Sequence, residues 1–243
     1  MASKSKFKNR VLERIISNEN IKSLLEIGAG NSSTFKIRQV LKKKESGYCL
    51  SLEAHSGYYE SVKSKLPDDD YGRLEFSPLV YDGASIVYSH SFSEKFDFIY
   101  IDGPGNTDVT DTRTGNLVDH AKIIKNVLSD KKIWVNAEYP HGGRSSIFIM
   151  DYVLSSMKKH TIILVDSRKM SVMYFYQKYH NLYNFISLGL PMKKINFRKM
   201  IKKNYNIDCF VPHVLTLITN KDSKKAKKII SSLSLEEFKN AAM

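Results

Sequence analysis

Two rhythms of apolar residues alternate along this chain. Val11, Ile15 and Ile16 recur at helical spacing between residues 8 and 19 and predict an opening helix. Ser23-Leu-Leu-Glu-Ile-Gly28 is a short continuous apolar run into glycine, the pattern of a buried strand. A helix over 32–44 turns Phe35, Val40 and Leu41 inward, and Tyr48–Glu53 reads as a second strand. Tyr59, Val62 and Leu66 mark the next helix, stopped by Pro67 and the turn-like Asp68-Asp-Asp70. Leu74–Val80 is the third predicted strand and Phe96–Asp102 the fourth, ending in Gly103-Pro104-Gly105. Leu117, Ala121, Ile124 and Leu128 line a helix, and Lys132–Val135 is the fifth strand. Ile147, Met150, Leu154 and Met157 form another stripe. Strands over Thr161–Asp166 and Ser171–Tyr176, four residues apart, are expected to pair antiparallel as a hairpin.

Strands alternating with helices predict an α/β fold, with a mostly parallel sheet, helices on both faces and the last strand antiparallel. The alternation fades after residue 180. A basic helix near 194–204, a strand-like run over Phe210–Ile218 and a helix opening at Ser234-Leu-Glu-Glu237, with capping-box spacing, are predicted there. The expected division is a core over 1–180, with its N-terminal helix in 1–20, and a basic C-terminal extension over 181–243 packed on that core.

Charge sharpens this division. Of the net +13, residues 193–243 supply +8, from twelve basic and four acidic residues, and residues 1–20 supply +3. The middle of the chain is nearly neutral. Basic ends attract nucleic acid, anionic headgroups or acidic substrates, and a solvated lysine-rich surface explains them equally well. Apolar residues make up 42% of the chain, which excludes a disordered polymer. Cys49 and Cys209 lie far apart with no CxxC partner, so neither a structural zinc site nor a redox dithiol is readable. No run approaches the ~20 apolar residues of a membrane span, and Met1-Ala-Ser-Lys-Ser-Lys leads into no apolar stretch. A soluble, cytoplasmic protein is expected.

Ligands of such sheets sit beyond the carboxyl ends of the strands. The strongest local signal lies there: Leu25-Glu26-Ile27-Gly28-Ala29-Gly30-Asn31-Ser32-Ser33. Alternate glycines permit a sharp strand-to-helix turn and close approach of backbone to a ligand, and Asn31 or Ser32 can cap the helix that follows. A dinucleotide site wants GxGxxG, but Ser33 stands at the third glycine. Glu26 would repel a diphosphate and pair with an ammonium, which favours S-adenosylmethionine (SAM). Glu53, closing the second strand, is placed to accept ribose hydroxyls. Asp82, in Tyr81-Asp82-Gly83, suits either an adenine amine or a plain Asp-Gly turn.

On these pieces, with Asp102-Gly-Pro-Gly105 and the closing strand pair, residues 21–176 resemble a class I SAM-dependent methyltransferase. The resemblance implies a seven-stranded sheet with SAM over the first two strand ends. It assigns Glu26, Gly28, Gly30 and Glu53 to the cofactor, with Ser32 replacing the usual third glycine. The full expected cofactor set is Glu26, Gly28, Ala29, Gly30, Asn31, Ser32, Glu53, Ala54, Asp82, Gly83 and Asp102, with His55 flanking it. The Ile101-Asp102-Gly103 end, with Asp119 downstream, is similar to small-molecule and sugar O-methyltransferases, many of which carry paired acids after strand five. Here that place holds Asn136-Ala137-Glu138.

Methyl transfer to a hydroxyl needs an aligned acceptor and a group that takes its proton. Asp102 is the candidate base; it can also orient the acceptor, or hold a divalent ion with Asn136 and Glu138. His141 and Glu138 are further catalytic candidates, and Arg144 and Gly103 are expected at the acceptor. The expected activity is O-methylation of a hydroxyl on a small polar or sugar/glycan acceptor. The alternative is a nucleic-acid methyltransferase, or a nucleic-acid binder of the same fold, using the basic ends. Against it, no Pro-Pro-aromatic amino-methylation motif and no Pro-Cys pair is present. An aminopropyl transferase and an NAD oxidoreductase rank below both.

Overall fold

A computed structural model describes residues 4–103, 107–118, 123, 146–166, 172, 175–176, 178–189 and 214–239. Seven strands form the central sheet: β1 (Ser23–Ile27), β2 (Tyr48–Glu53), β3 (Gly72–Phe76), β6 (Phe96–Ile101), β8 (Met157–Asp166), β9 (Tyr183–Leu188) and β10 (Leu215–Asn220). Their order is β3-β2-β1-β6-β8-β10-β9. β1, β2, β3, β6 and β8 run parallel, while β10 is antiparallel to both β8 and β9. The order reverses between β1 and β6, so the sheet is doubly wound, with the seven strands that the resemblance implies. Three short strands, β4 (Leu79–Tyr81), β5 (Ile86–Tyr88) and β7 (Val109–Asp111), form a second sheet in the order β5-β4-β7.

Period-two alternation sorts the strand residues onto two faces. Leu24, Cys49, Phe98, Tyr100, Ile162, Leu164, Leu215 and Leu217 meet one layer of helices: α1 (Lys4–Ile16), α2 (Ser33–Lys44), α5 (Lys224–Ser232) and α6 (Glu236–Lys239). Leu25, Ile27, Leu50, Leu52, Ile99, Ile101, Ile163 and Val165 face the opposite way, against the small sheet and the helix α4 (Ser146–Leu154). α1 buries Phe7, Val11, Leu12, Ile15 and Ile16, each worth about 1.5–3 kcal/mol of transfer free energy. That stripe fixes where its polar residues Ser5, Lys8 and Asn9 emerge: over the carboxyl ends of the strands. A short helix α3 (Ser56–Lys63) follows β2.

Four expectations change. The run Leu74–Val80 is two strands, because it breaks at Ser77-Pro78, where proline lacks the N–H a ladder needs, and Leu79 passes to the small sheet. The hairpin of Thr161–Asp166 with Ser171–Tyr176 is not formed. Val172, Phe175 and Tyr176 are helical, and Phe175 and Tyr179 pack ring to ring at 4.6 Å. Their spacing is helical, and strand propensity in this aromatic run misleads. Met157–Asp166 instead lies parallel beside β6, after a register shift between Phe96 and Phe98. Finally, the expected extension 181–243 supplies β9 and β10, so the core does not end at residue 180. The predicted strand Lys132–Val135 and the helix 194–204 lie outside the described residues. In the last segment Ser223, rather than Ser234, caps a helix, its hydroxyl accepting from Ala226 N–H at 3.1 Å, while Ser234 is left-handed at φ 49°.

Candidate functional site

Three strands are stitched together just beyond their last ladder pairs. Gly28 and Ala29 N–H donate to Leu52 O at 2.9 and 3.1 Å, and Asp102 and Gly103 N–H donate to Ile27 O, both at 2.9 Å. Gly28 is left-handed, at φ 84°, and a methyl on it would lie 2.4 Å from Gly103 Cα. The backbones after β1 and β6 therefore touch where no side chain fits. Gly30 carries no such requirement: a methyl there meets only Ser33 Oγ, at 3.6 Å.

Glu26 lies beneath this turn, not in its mouth. It is fully buried, and Oε2 accepts from Thr34 Oγ1 and Ser51 Oγ, both at 2.8 Å. Thr34 Oγ1 in turn accepts Gly30 N–H at 3.0 Å, so the carboxyl braces the turn through one hydroxyl. Oε1 has no hydrogen bond of good geometry, although the nearby Ser33 hydroxyl eases its charge. Burial outweighs these hydroxyls and pushes the Glu26 carboxyl up to about 7. A group half protonated at neutrality discriminates weakly by charge. The electrostatic selection expected from the sequence is thus blunted.

A different discrimination takes its place. The Gly28, Ala29 and Gly30 N–H groups are all spent inside the protein, on Leu52 O and Thr34 Oγ1. A diphosphate cradle needs such groups aimed at the ligand. A nucleoside with no phosphate does not. Ser32, at the start of α2, makes no side-chain cap; its hydroxyl bonds Ser5 Oγ at 2.9 Å and accepts from Asn9 Nδ2 at 3.2 Å, tying the turn to α1.

Glu53 closes β2, nearly buried, and its Oε1 accepts His55 N–H at 2.8 Å. His55 serves as the cap of α3, its Nδ1 accepting Tyr58 N–H at 3.3 Å. Ala54 is buried between them. Asp82 and Gly83 are elsewhere, at the tip of the β4–β5 hairpin in the small sheet. Asp82 Oδ1 accepts Ala84 and Ser85 N–H at 2.8 and 2.7 Å, and Oδ2 accepts Ser85 Oγ at 3.3 Å. Burial opposes its charge, but these bonds win and hold the carboxyl below its usual range. Of the two readings left open for Asp82, the turn is the one its contacts display.

The next strand ends carry a constellation that the sequence disclosed only in part. Asp102 Oδ2 accepts from Lys8 Nζ at 2.9 Å and from Tyr100 Oη at 3.2 Å. Lys8 Nζ also donates to Asp166 Oδ2, at 2.7 Å. Burial, and then the adjacent Asp166 carboxyl, push Asp102 up to about 6, with Lys8 pulling the other way. Lys8 itself is held above its usual value, because the two carboxylates outweigh its own burial. Asp166 is absent from the sequence-based candidates because the sequence places Thr161–Asp166 in a terminal hairpin rather than beside β6. The signal that found Glu53, an acid closing a strand, would have found it. Lys8 had no such signal. Asn136, Glu138, His141 and Arg144, expected around Asp102, lie outside the described residues, as does the Pro104-Gly105 turn. No cluster of three or more metal-ligating side chains occurs among the described residues. Lys8 Nζ bridges the two strand-end acids; of the expected metal set, only Asp102 lies among the described residues.

No family model matches the chain, and no curated protein does. Among solved structures, it is similar to cofactor-bound Rv0187 from MTB, at 12% identity and a TM-score of 0.47 over 89% of this chain and 80% of that one. It is similar also to the SAH-bound Podospora anserina methyltransferase PaMTH1, at 12% identity and a TM-score of 0.48 over 91% and 80%. A third is a putative rRNA-methylase from Clostridium thermocellum, at 9% identity and 0.47 over 90% and 97%. With TM-scores below 0.5, none of these likenesses bears on chemistry.

Proposed function

We propose that this protein is a SAM-dependent methyltransferase acting on a hydroxyl of a small polar or sugar acceptor. The observation that carries the reading is the turn after β1, whose N–H groups are spent internally while Glu53 closes the next strand: a site for a nucleoside without phosphate. Glu26, through Thr34, holds the turn in shape. Gly28 and Gly103 bring it against the end of β6, and Glu53 stands where ribose hydroxyls would donate. The cofactor, when bound, supplies a methyl group on a sulfonium. Asp102, on the adjoining strand end, would take the proton that the acceptor hydroxyl gives up on becoming an ether. A carboxyl pushed up to about 6 is a better base near neutrality than an ordinary aspartate and is still largely ionised. Calorimetric titration with S-adenosylhomocysteine (SAH), NAD and ATP tests the reading: SAH binds at micromolar concentration, and a preference for either phosphate ligand overturns it.

One feature favours the nucleic-acid alternative. α5 exposes Lys224, Lys225, Lys227 and Lys228 while burying Ala226 and Ile229, so one helix face presents four cations. If RNA or DNA is the acceptor, affinity for it falls steeply with salt and weakens when these lysines are replaced.

A further inference from the structure

Lys8 reaches the carboxyl ends of β6 and β8 from outside the sheet. Its Nζ lies 2.9 Å from Asp102 Oδ2 and 2.7 Å from Asp166 Oδ2, so one cation bridges the acids that end two neighbouring parallel strands. The lysine is only 16% exposed, and Asp166 only 6%. Its helix is fixed: Phe7 and Val11, flanking Lys8 on the inward side, are buried, and Ser5 and Asn9 bond Ser32. The ammonium is therefore delivered to this point by packing, not drawn there from a solvated surface.

We propose that Lys8 is the resident cation of this site, an ammonium built into the position between Asp102 and Asp166 that a divalent ion would otherwise take. Two carboxylates this close repel, which a proton shared between them, a metal ion or a lysine ammonium relieves; here Asp102 and Asp166 are in hydrogen-bond contact and Lys8 reaches both. A lysine supplies one charge where a metal supplies two. It offsets one carboxylate and leaves the pair with a net negative charge, which keeps Asp102 able to accept a proton. It also donates along fixed directions, so it holds Asp102 Oδ2 in place while offering no open coordination position. The consequence for the proposed methyl transfer is that it proceeds without added metal; that consequence rests on the methyltransferase reading, whereas the occupancy of the acid pair does not.

The test is a competition for the acid pair on the full chain, with Mn2+ as the probe and no cofactor present. Electron paramagnetic resonance and thermal shift are recorded for the natural protein and for Lys8→Met, which keeps the apolar stem. The natural protein is expected to take up no stoichiometric Mn2+ at millimolar concentration. Lys8→Met is expected to bind one equivalent at least about tenfold more tightly and to gain thermal stability from it, and adding Asp166→Asn abolishes both effects. Lys8→Arg behaves as the natural protein. Stoichiometric Mn2+ binding by the natural protein that Asp166→Asn removes overturns the proposal. So does a folded Lys8→Met or Lys8→Gln that ignores Mn2+. Failure of SAH to bind the natural protein defeats the methyltransferase reading alone.

Discussion

Asp97 and Asp102 stand five residues apart on the same strand, one at each end of β6, and their surroundings are opposite. Asp97, at the amino end, accepts from Lys22 N–H, Ser23 N–H, Ser23 Oγ, Lys158 Nζ and His160 Nε2, at 2.7–3.1 Å. Burial works against its charge, but these donors hold the carboxyl far below its usual range. Asp102, at the carboxyl end, has Lys8 and Tyr100 as described donors and a second carboxyl at its side, and it is pushed up. The amino end is a clamp: its carboxylate pins the entry to β1 and the bulge at the start of β8. At the carboxyl end the backbone does part of the holding, through Ile27 O and the Gly28–Gly103 contact. A carboxylate ringed by donors is held ionised and committed to architecture; one set against a second carboxyl is pushed up toward the range of a general base.

The largest effect is expected where backbone does the holding. Gly28→Ala places a methyl 2.4 Å from Gly103 Cα at a left-handed φ, so something must shift. Stability should fall by about 2–4 kcal/mol, and SAH binding, read by calorimetry, should be lost. Gly30→Ala should do little to either. If the two glycines prove equivalent, the carboxyl end is not built on that crossing. Next in size is Asp97→Ala, which orphans two N–H groups and the half-buried Lys158. It should cost about 3 kcal/mol in urea unfolding, with the SAH affinity of the folded protein unchanged. A large loss of affinity would mean that the two ends are coupled.

The pH dependence separates the same two groups by sign. Asp97 has a depressed folded pKa, so its stabilisation is present above the unfolded value of about 4 and is lost as pH falls below it. Asp102 has a raised one, about 6, so it binds protons more tightly in the native state; its ionisation costs stability, increasingly from pH ~4 to 6 and fully above. Asp102→Asn should therefore be more stable than the natural protein at pH 7, by about 1–3 kcal/mol, with the difference vanishing near pH 4. Asp97→Asn should be less stable at pH 7. Thermal unfolding from pH 3.5 to 8 reads both, and parallel curves for the two variants would erase the contrast.

The sequence disclosed each end to a different degree. Buried parallel strands announce themselves as apolar runs, so β1, β2 and β6 were legible, as were the glycine turn and the acids that close strands. Which run lies beside which was not. An apolar run announces a strand but not its neighbour, and only the pairing with β6 places Met157–Asp166. Asp97 was hidden inside a strand pattern, its donors coming from β1 and a bulge more than sixty residues away. Lys8 and Asp166 are 158 positions apart. Glu26 was found, but its burial was not, because whether a strand-end acid faces the ligand or the helix behind it depends on how Thr34 and Ser51 close over it.

Asp82 extends the contrast to an exposed position, where the effect should be smallest. Its oxygens take two N–H bonds and one hydroxyl from its own turn, so by donor count it belongs with Asp97, although solvent rather than protein surrounds it. Saturation within an exposed turn is worth little, because water replaces each bond when the carboxylate is removed. Asp82→Ala should therefore shift stability by less than about 1 kcal/mol and leave SAH affinity unchanged. A cofactor whose adenine amine donates to this carboxylate would instead lose about tenfold in affinity. Such a loss at unchanged stability would show that donor count misjudges exposed acids and would bring the β4–β5 tip over the cofactor; equal affinity would confine the site to the ends of β1, β2, β6 and β8.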